Sequence, residues 1–89
     1  MRLQPKHVVA ARAMLSISQA ELATMAGVGE RTIAGFESGE KPDLRESTLW
    51  EIQAALEARG IEFTNGDGIG VRLSFAKAEA AARLGAAGR

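Results

Sequence analysis

SQAELATMAGVGERTIAGFESG, residues 18–39, is the stretch that decides the fold. Ser18-Gln19-Ala20-Glu21 is a capping box: the Ser18 hydroxyl caps a helix and Glu21 reaches back to the cap. The helix it opens runs through about Met25, and Gly27 ends it, because glycine accepts the left-handed conformation that a helix end needs. Only Val28 and Gly29 separate Gly27 from a second helical pattern, Glu30–Ser38, which Gly39 terminates. Two short helices joined by so tight a turn must cross closely, and Ala23 supplies the small residue the crossing requires. Ile33 and Phe36 give the second helix one apolar face, with Leu22 and Val28 completing the small core, and no proline interrupts either helix.

Working outward, Pro5 suits a first helical turn, where its missing N–H costs nothing, and Lys6–Leu15 reads as a helix carrying Val8, Val9, Met14 and Leu15. Downstream, Glu40–Leu44 with Pro42 reads as a loop. A fourth helix is expected from about Glu46 to Arg59, with Leu49, Ile52 and Leu56 at helical spacing and Gly60 as its stop. The period then changes. Ile61-Glu62-Phe63 and Val71-Arg72-Leu73 alternate apolar and charged residues around a glycine-rich Thr64–Gly70, which reads as a β-hairpin. The alanine-rich tail, Phe75–Arg89, is either a docked helix or a frayed end. The expected fold is mainly α: a bundle of four to five helices with a small C-terminal β-hairpin. Residues 1–59 form the helical part, and residues 60–89 the hairpin and tail, an expected dimerisation extension.

Composition narrows the function classes. A chain of 89 residues with 46% hydrophobic content is one domain with a modest core, built on few aromatics: Phe36, Trp50, Phe63 and Phe75. There is no cysteine, so disulfides and thiolate metal sites are excluded, which fits a reducing cytoplasm. The lone histidine, His7, stands near the chain start, where a solvated role is expected rather than a metal-binding or catalytic one. No apolar run approaches the ~20 residues that span a bilayer, and the N-terminus lacks the layout of a secretory signal. Asp43 and Glu46 read as a helix start rather than paired catalytic carboxylates, and Asn65-Gly66-Asp67-Gly68 as a turn rather than a calcium loop. No nucleophile–base set or phosphate-binding glycine motif occurs, so no enzyme, cofactor, metal or small-molecule ligand is expected. Net charge is zero, which gives no electrostatic argument for a nucleic-acid partner. Residues 1–45 carry only six basic side chains (Arg2, Lys6, Arg12, Arg31, Lys41, Arg45) against five acidic ones.

The motif carries the functional reading. Ser18-Gln19, Glu21-Leu22-Ala23, Ala26-Gly27-Val28, Thr32-Ile33 and Glu37-Ser38-Gly39 stand at the spacing of the Cro/C1-type (XRE) repressors. Residues 9–58 resemble that family, whose fold is lambda-repressor-like. The resemblance implies a cytoplasmic, sequence-specific regulator of transcription that binds double-stranded DNA. It places Gln19 on a DNA phosphate, aided by the helix N-terminus, and Lys41 on another. It puts Gly29, Glu30, Arg31, Thr32 and Gly35 along the recognition helix that reaches base edges. Arg31 is the strongest base reader, since a guanidinium grips guanine O6 and N7 with two bonds worth about 1–3 kcal/mol of discrimination. Glu30 either accepts from cytosine or only orients Arg31. Gly35 departs from the longer polar side chain common at its position, weakening base reading there and costing about 1 kcal/mol of helix propensity. Arg12 and Glu37 match positions that pair internally in the family, the plainer reading being two solvated charges.

Oligomeric state is open on two counts. Trp50, one position off the apolar stripe of its helix, either caps the core or lies at a subunit interface. The hairpin is either an ornament or an edge offered to a second copy, which makes Ile61, Phe63, Val71, Leu73 and Phe75 further interface candidates beside Trp50. A homodimer on a palindromic operator is expected, because one recognition helix spans only a few base pairs. An autoregulator or mobile-element control protein fits the small size. Two rival functions remain: an antitoxin whose residues 60–89 bind a toxin, and a protein-binding module that has lost DNA binding.

Overall fold

A computed structural model describes residues 1–87, with side chains through Arg83. In chain order the elements are α1 (Pro5–Leu15), α2 (Gln19–Ala26), α3 (Glu30–Ser38), α4 (Glu46–Glu57), β1 (Ile61–Thr64), β2 (Gly70–Leu73) and α5 (Phe75–Ala87). The bundle with its hairpin is thus the expected fold, and the tail is helical over Phe75–Ala87, its last two residues lying outside the described ones. None of the described helices is long and apolar enough to cross a membrane.

Local chemistry sets the boundaries. Ser18 Oγ accepts from the Glu21 N–H at 3.0 Å while Glu21 Oε1 accepts from the Ser18 N–H at 3.3 Å, so the capping box is closed in both directions. Gly27 adopts φ 72° and Gly39 φ 83°, the left-handed conformation that ends α2 and α3. Ser16 takes the same conformation (φ 56°) at the end of α1, the one described non-glycine residue that does so. α4 stops at Glu57, two residues before the expected Arg59, and Ala58–Gly60 form the turn into β1.

Leu22, Ala23, Ile33, Phe36, Leu49, Ile52 and Leu56 form one buried cluster with Leu3, Val8 and Ala11 of the N-terminal region. α2 packs against both α3 and α4, and α1 packs against α3. The antiparallel hairpin pairs Ile61 with Leu73 and Phe63 with Val71, and it lies mainly on α1. Ile61 belongs to the same core, so a division at residues 59 and 60 falls inside one continuous apolar cluster.

His7 is not solvated. It is fully buried, on the inner side of α1 beside Val8 and Ala11. Its Nδ1 accepts from the Gln4 N–H at 2.9 Å, which leaves the ring proton on Nε2, 3.4 Å from the Thr64 carbonyl. The ring meets Phe63 edge-on, with centroids 5.3 Å apart. His7 therefore clips the chain start to the hairpin, satisfying both ring nitrogens while filling space.

α5 joins this body at a small contact. Gly60 is buried at φ 100°, and a Cβ there would stand 2.7 Å from the Ala78 nitrogen, so only glycine lets α5 approach. Ser74 Oγ accepts from the Lys77 N–H at 3.3 Å, and the Ser74 N–H donates to the Gly60 carbonyl at 2.8 Å. Across the hairpin, Glu62 meets its cross-strand partner Arg72 at 2.6 Å, and it also meets Lys77 of α5 at 2.8 Å. The hydrogen bond from Lys77, with the charges of Arg72 and Lys77, lowers the Glu62 pKa from its ordinary value.

Candidate nucleic-acid interface

Helical geometry divides α3 into two faces. Ile33 and Phe36 point into the core, so at 100° per residue Arg31, Gly35 and Ser38 occupy the opposite side. Arg31 and Glu30 are exposed in the first turn, and Thr32 is half-buried beside them. Arg31 makes no ion pair among the described residues. Gly29 is the N-cap of α3 and carries no side chain, so the first-turn N–H groups there are not covered by a capping side chain.

Arg12 and Glu37 are turned inward. Arg12 Nε and Nη2 donate to the two Glu37 carboxylate oxygens at 2.6 and 2.7 Å, a bidentate pair that ties α1 to α3. The Glu37 side chain is 6% exposed and that of Arg12 20%. Arg12 Nη1 also donates to the Ile17 carbonyl at 3.0 Å, pinning the connection between α1 and α2. Burial pushes the Glu37 carboxyl up, but hydrogen bonds from Arg12 and Gln19 and the charge of Arg12 outweigh it and hold its pKa below the ordinary value. The hydrogen bond to Glu37 raises the Arg12 pKa against the opposing effect of burial.

Gln19 is coupled to this pair. Its Nε2 donates to Glu37 Oε1 at 3.1 Å, which fixes the orientation of the amide and spends one of its two N–H bonds. The other N–H remains for an external acceptor at the N-terminus of α2. Of the remaining expected positions, Gly35 is half-buried, and the stem of Lys41 lies over it; Lys41 itself is exposed.

One further basic side chain, not assigned a DNA contact from the sequence, borders the same region. Arg45, the exposed N-cap of α4, lines a shallow groove together with Gly29, Thr32 and Thr48 and with the acidic Asp43 and Glu51. The available signal was a basic residue at a helix start, where the helix dipole favours an acidic one.

The interface candidates of the C-terminal part separate. Ile61 is 1% exposed and is a core residue, so it offers nothing to a second chain. Phe63, Val71 and Leu73 are partly buried and pack on that core, where the hairpin lies mainly on α1. Trp50 and Phe75 stay exposed, at 69% and 84%.

Comparison with curated protein sequences found none that matches. The family model for helix-turn-helix proteins matches residues 9–62, well over half of the 89-residue chain, from within α1 to the start of β1. With the geometry of α2 and α3 as described, the chain belongs to the Cro/C1-type helix-turn-helix family, a family of DNA-binding transcription regulators.

Proposed function

We propose that the chain is a cytoplasmic regulator that lays α3 in the major groove of duplex DNA and acts as a homodimer on a two-fold symmetric operator. The observation that carries this reading is the partition of α3. Glu37 is buried and paired with Arg12, whereas Arg31 stands exposed on the face away from Ile33 and Phe36. In this reading Arg31, Glu30 and Thr32 meet base edges near Gly29. Gln19, held by Glu37, and Arg45 meet phosphates on either side. The exposed Trp50 lines a groove with Met1, Leu3 and Gln53, which favours α4 as the place where a second copy docks. Size and architecture suit an autoregulator or a control protein of a mobile element.

Selection from a random DNA pool, followed by fluorescence anisotropy across a salt series, tests this. The expected product is a symmetric site with half-sites about one helical turn apart, bound less tightly at high salt. Arg31→Ala should lose preference for one base in each half-site, by about 10-fold or more. No enriched site, with equal weak binding by both proteins, contradicts the reading. A constitutive monomer on a single half-site contradicts only the dimer.

A second reading has an observation of its own. Phe75 is 84% exposed at the start of α5, as a side chain awaiting a protein would be, which favours an antitoxin whose residues 60–89 hold a toxin. Recovery of one small partner with the tagged chain, lost in Phe75→Ala, would support it.

A further inference from the structure

We propose that Lys41 is a specificity-determining residue: from the loop after α3 it supplies the groove-facing side chain that position 35 lacks. The inference rests on the DNA-binding reading above. Gly35 lies four residues beyond Arg31, one turn along the same outer face of α3, and leaves that turn bare. The turn is filled from elsewhere in the chain. A Cβ on Gly35 would meet Lys41 Cβ at 3.5 Å and its Cγ and Cδ at 3.6 Å, so the lysine stem runs in van der Waals contact across the missing side chain.

Backbone bonds hold it there. Gly39 at φ 83° turns the chain back on α3, and the Lys41 N–H donates to the Gly35 carbonyl at 3.0 Å. Ser38 Oγ donates to that same carbonyl at 3.2 Å and accepts from the Glu40 N–H at 3.3 Å, fixing the intervening turn. Lys41 has no ion-pair partner among the described residues. Its charge therefore continues the line of Arg31 along the helix face instead of standing off the end of the helix. A lysine so placed donates to guanine O6 or N7, as arginine does, through a single ammonium. A lysine at the edge of the domain would instead meet a phosphate and treat all sequences alike.

The test uses the duplex selected by the wild-type chain and a set of duplexes in which each base pair of the half-site is replaced in turn. Dissociation constants are measured for the wild type, Lys41→Ala and Gly35→Gln. Lys41→Ala should flatten a preference of about tenfold at one position per half-site and leave the Arg31-dependent position intact. Gly35→Gln should change the favoured base at the position that Lys41→Ala flattens, because the longer side chain takes the space of the stem. Equal weakening of Lys41→Ala on all duplexes, with a salt slope reduced by about one, makes Lys41 a phosphate contact and overturns the inference. A wild-type chain that enriches no site overturns the DNA-binding reading and this inference together, so the two failures are distinguishable.

Discussion

α3 and α5 are both helices, yet they are helical for opposite reasons. α3, ERTIAGFES, is a poor helix former: it contains Gly35, the β-branched Thr32 and Ile33, and Phe36. It is held because Ile33 and Phe36 are buried in the core and Glu37 is locked to Arg12. α5, FAKAEAAARLGAA, is dominated by alanine, the best helix former, but among its residues through Arg83 only Ala78 and Ala81 are even half-buried. Tertiary packing makes the first helix and intrinsic propensity the second. The contrast teaches where function can sit: the embedded helix can present Arg31 in a fixed geometry, whereas the surface helix can only offer area.

The comparison makes graded predictions. The largest effect belongs to the α3 anchor: Phe36→Ala should cost about 3–5 kcal/mol and unfold much of the chain near body temperature, as read by urea denaturation. Breaking the pair comes next. Glu37→Ala leaves Arg12 half-buried without its partner and should cost about 2–3 kcal/mol, below the range for fully buried pairs because Arg12 keeps some water. The same variant should also weaken DNA binding through Gln19, whose amide loses its anchor.

That pair gives stability a pH dependence. The folded Glu37 pKa is depressed, so its stabilising contribution is complete above the ordinary glutamate range and is lost as pH falls through that range towards the folded value. Glu62, likewise depressed, adds a contribution of the same sign. Wild-type urea midpoints should therefore fall between pH 7 and pH 3, and fall less in Glu37→Gln.

Gly60→Ala strikes the joint between the two regions. The positive φ and the Ala78 backbone together should cost about 2 kcal/mol, and α5 should lift from the body, seen as new proteolytic cleavage after Lys77 or Arg83. The smallest global effect is expected from Ala80→Gly. It should reduce the helicity of α5, costing about 1 kcal/mol locally, while the urea midpoint of the core stays in place. A midpoint that dropped with the helicity would show α5 to be part of the cooperative core and would break the comparison.

The parts of the molecule that were legible in the sequence are those governed by local signals. The capping box at Ser18, the glycines at 27 and 39 and the alternation around residues 61–73 each specify their element within a few residues. What stayed hidden depends on residues far apart in the chain. Burial of His7 requires knowing that Thr64, 57 residues away, will present its carbonyl to the ring. The assignment of Ile61 to the core requires knowing that the hairpin folds onto α1 rather than onto a second chain. The stem of Lys41 over Gly35 and the seat of α5 on Gly60 are likewise tertiary contacts, and a glycine in a sequence does not say what will occupy the space it leaves. Arg12 and Glu37 are an intermediate case: no local pattern links residues 25 apart, and only the family resemblance paired them.

The central claim is that the embedded pair α2 and α3, and not the surface helix, meets DNA. Titration of the isotopically labelled chain with its selected duplex, followed by amide NMR, tests it most directly. The account predicts the largest shift changes at Gln19, Gly29–Thr32 and Lys41, with Ala76–Ala82 unaffected. Changes concentrated on the hairpin and α5, with residues 29–32 silent, would contradict it.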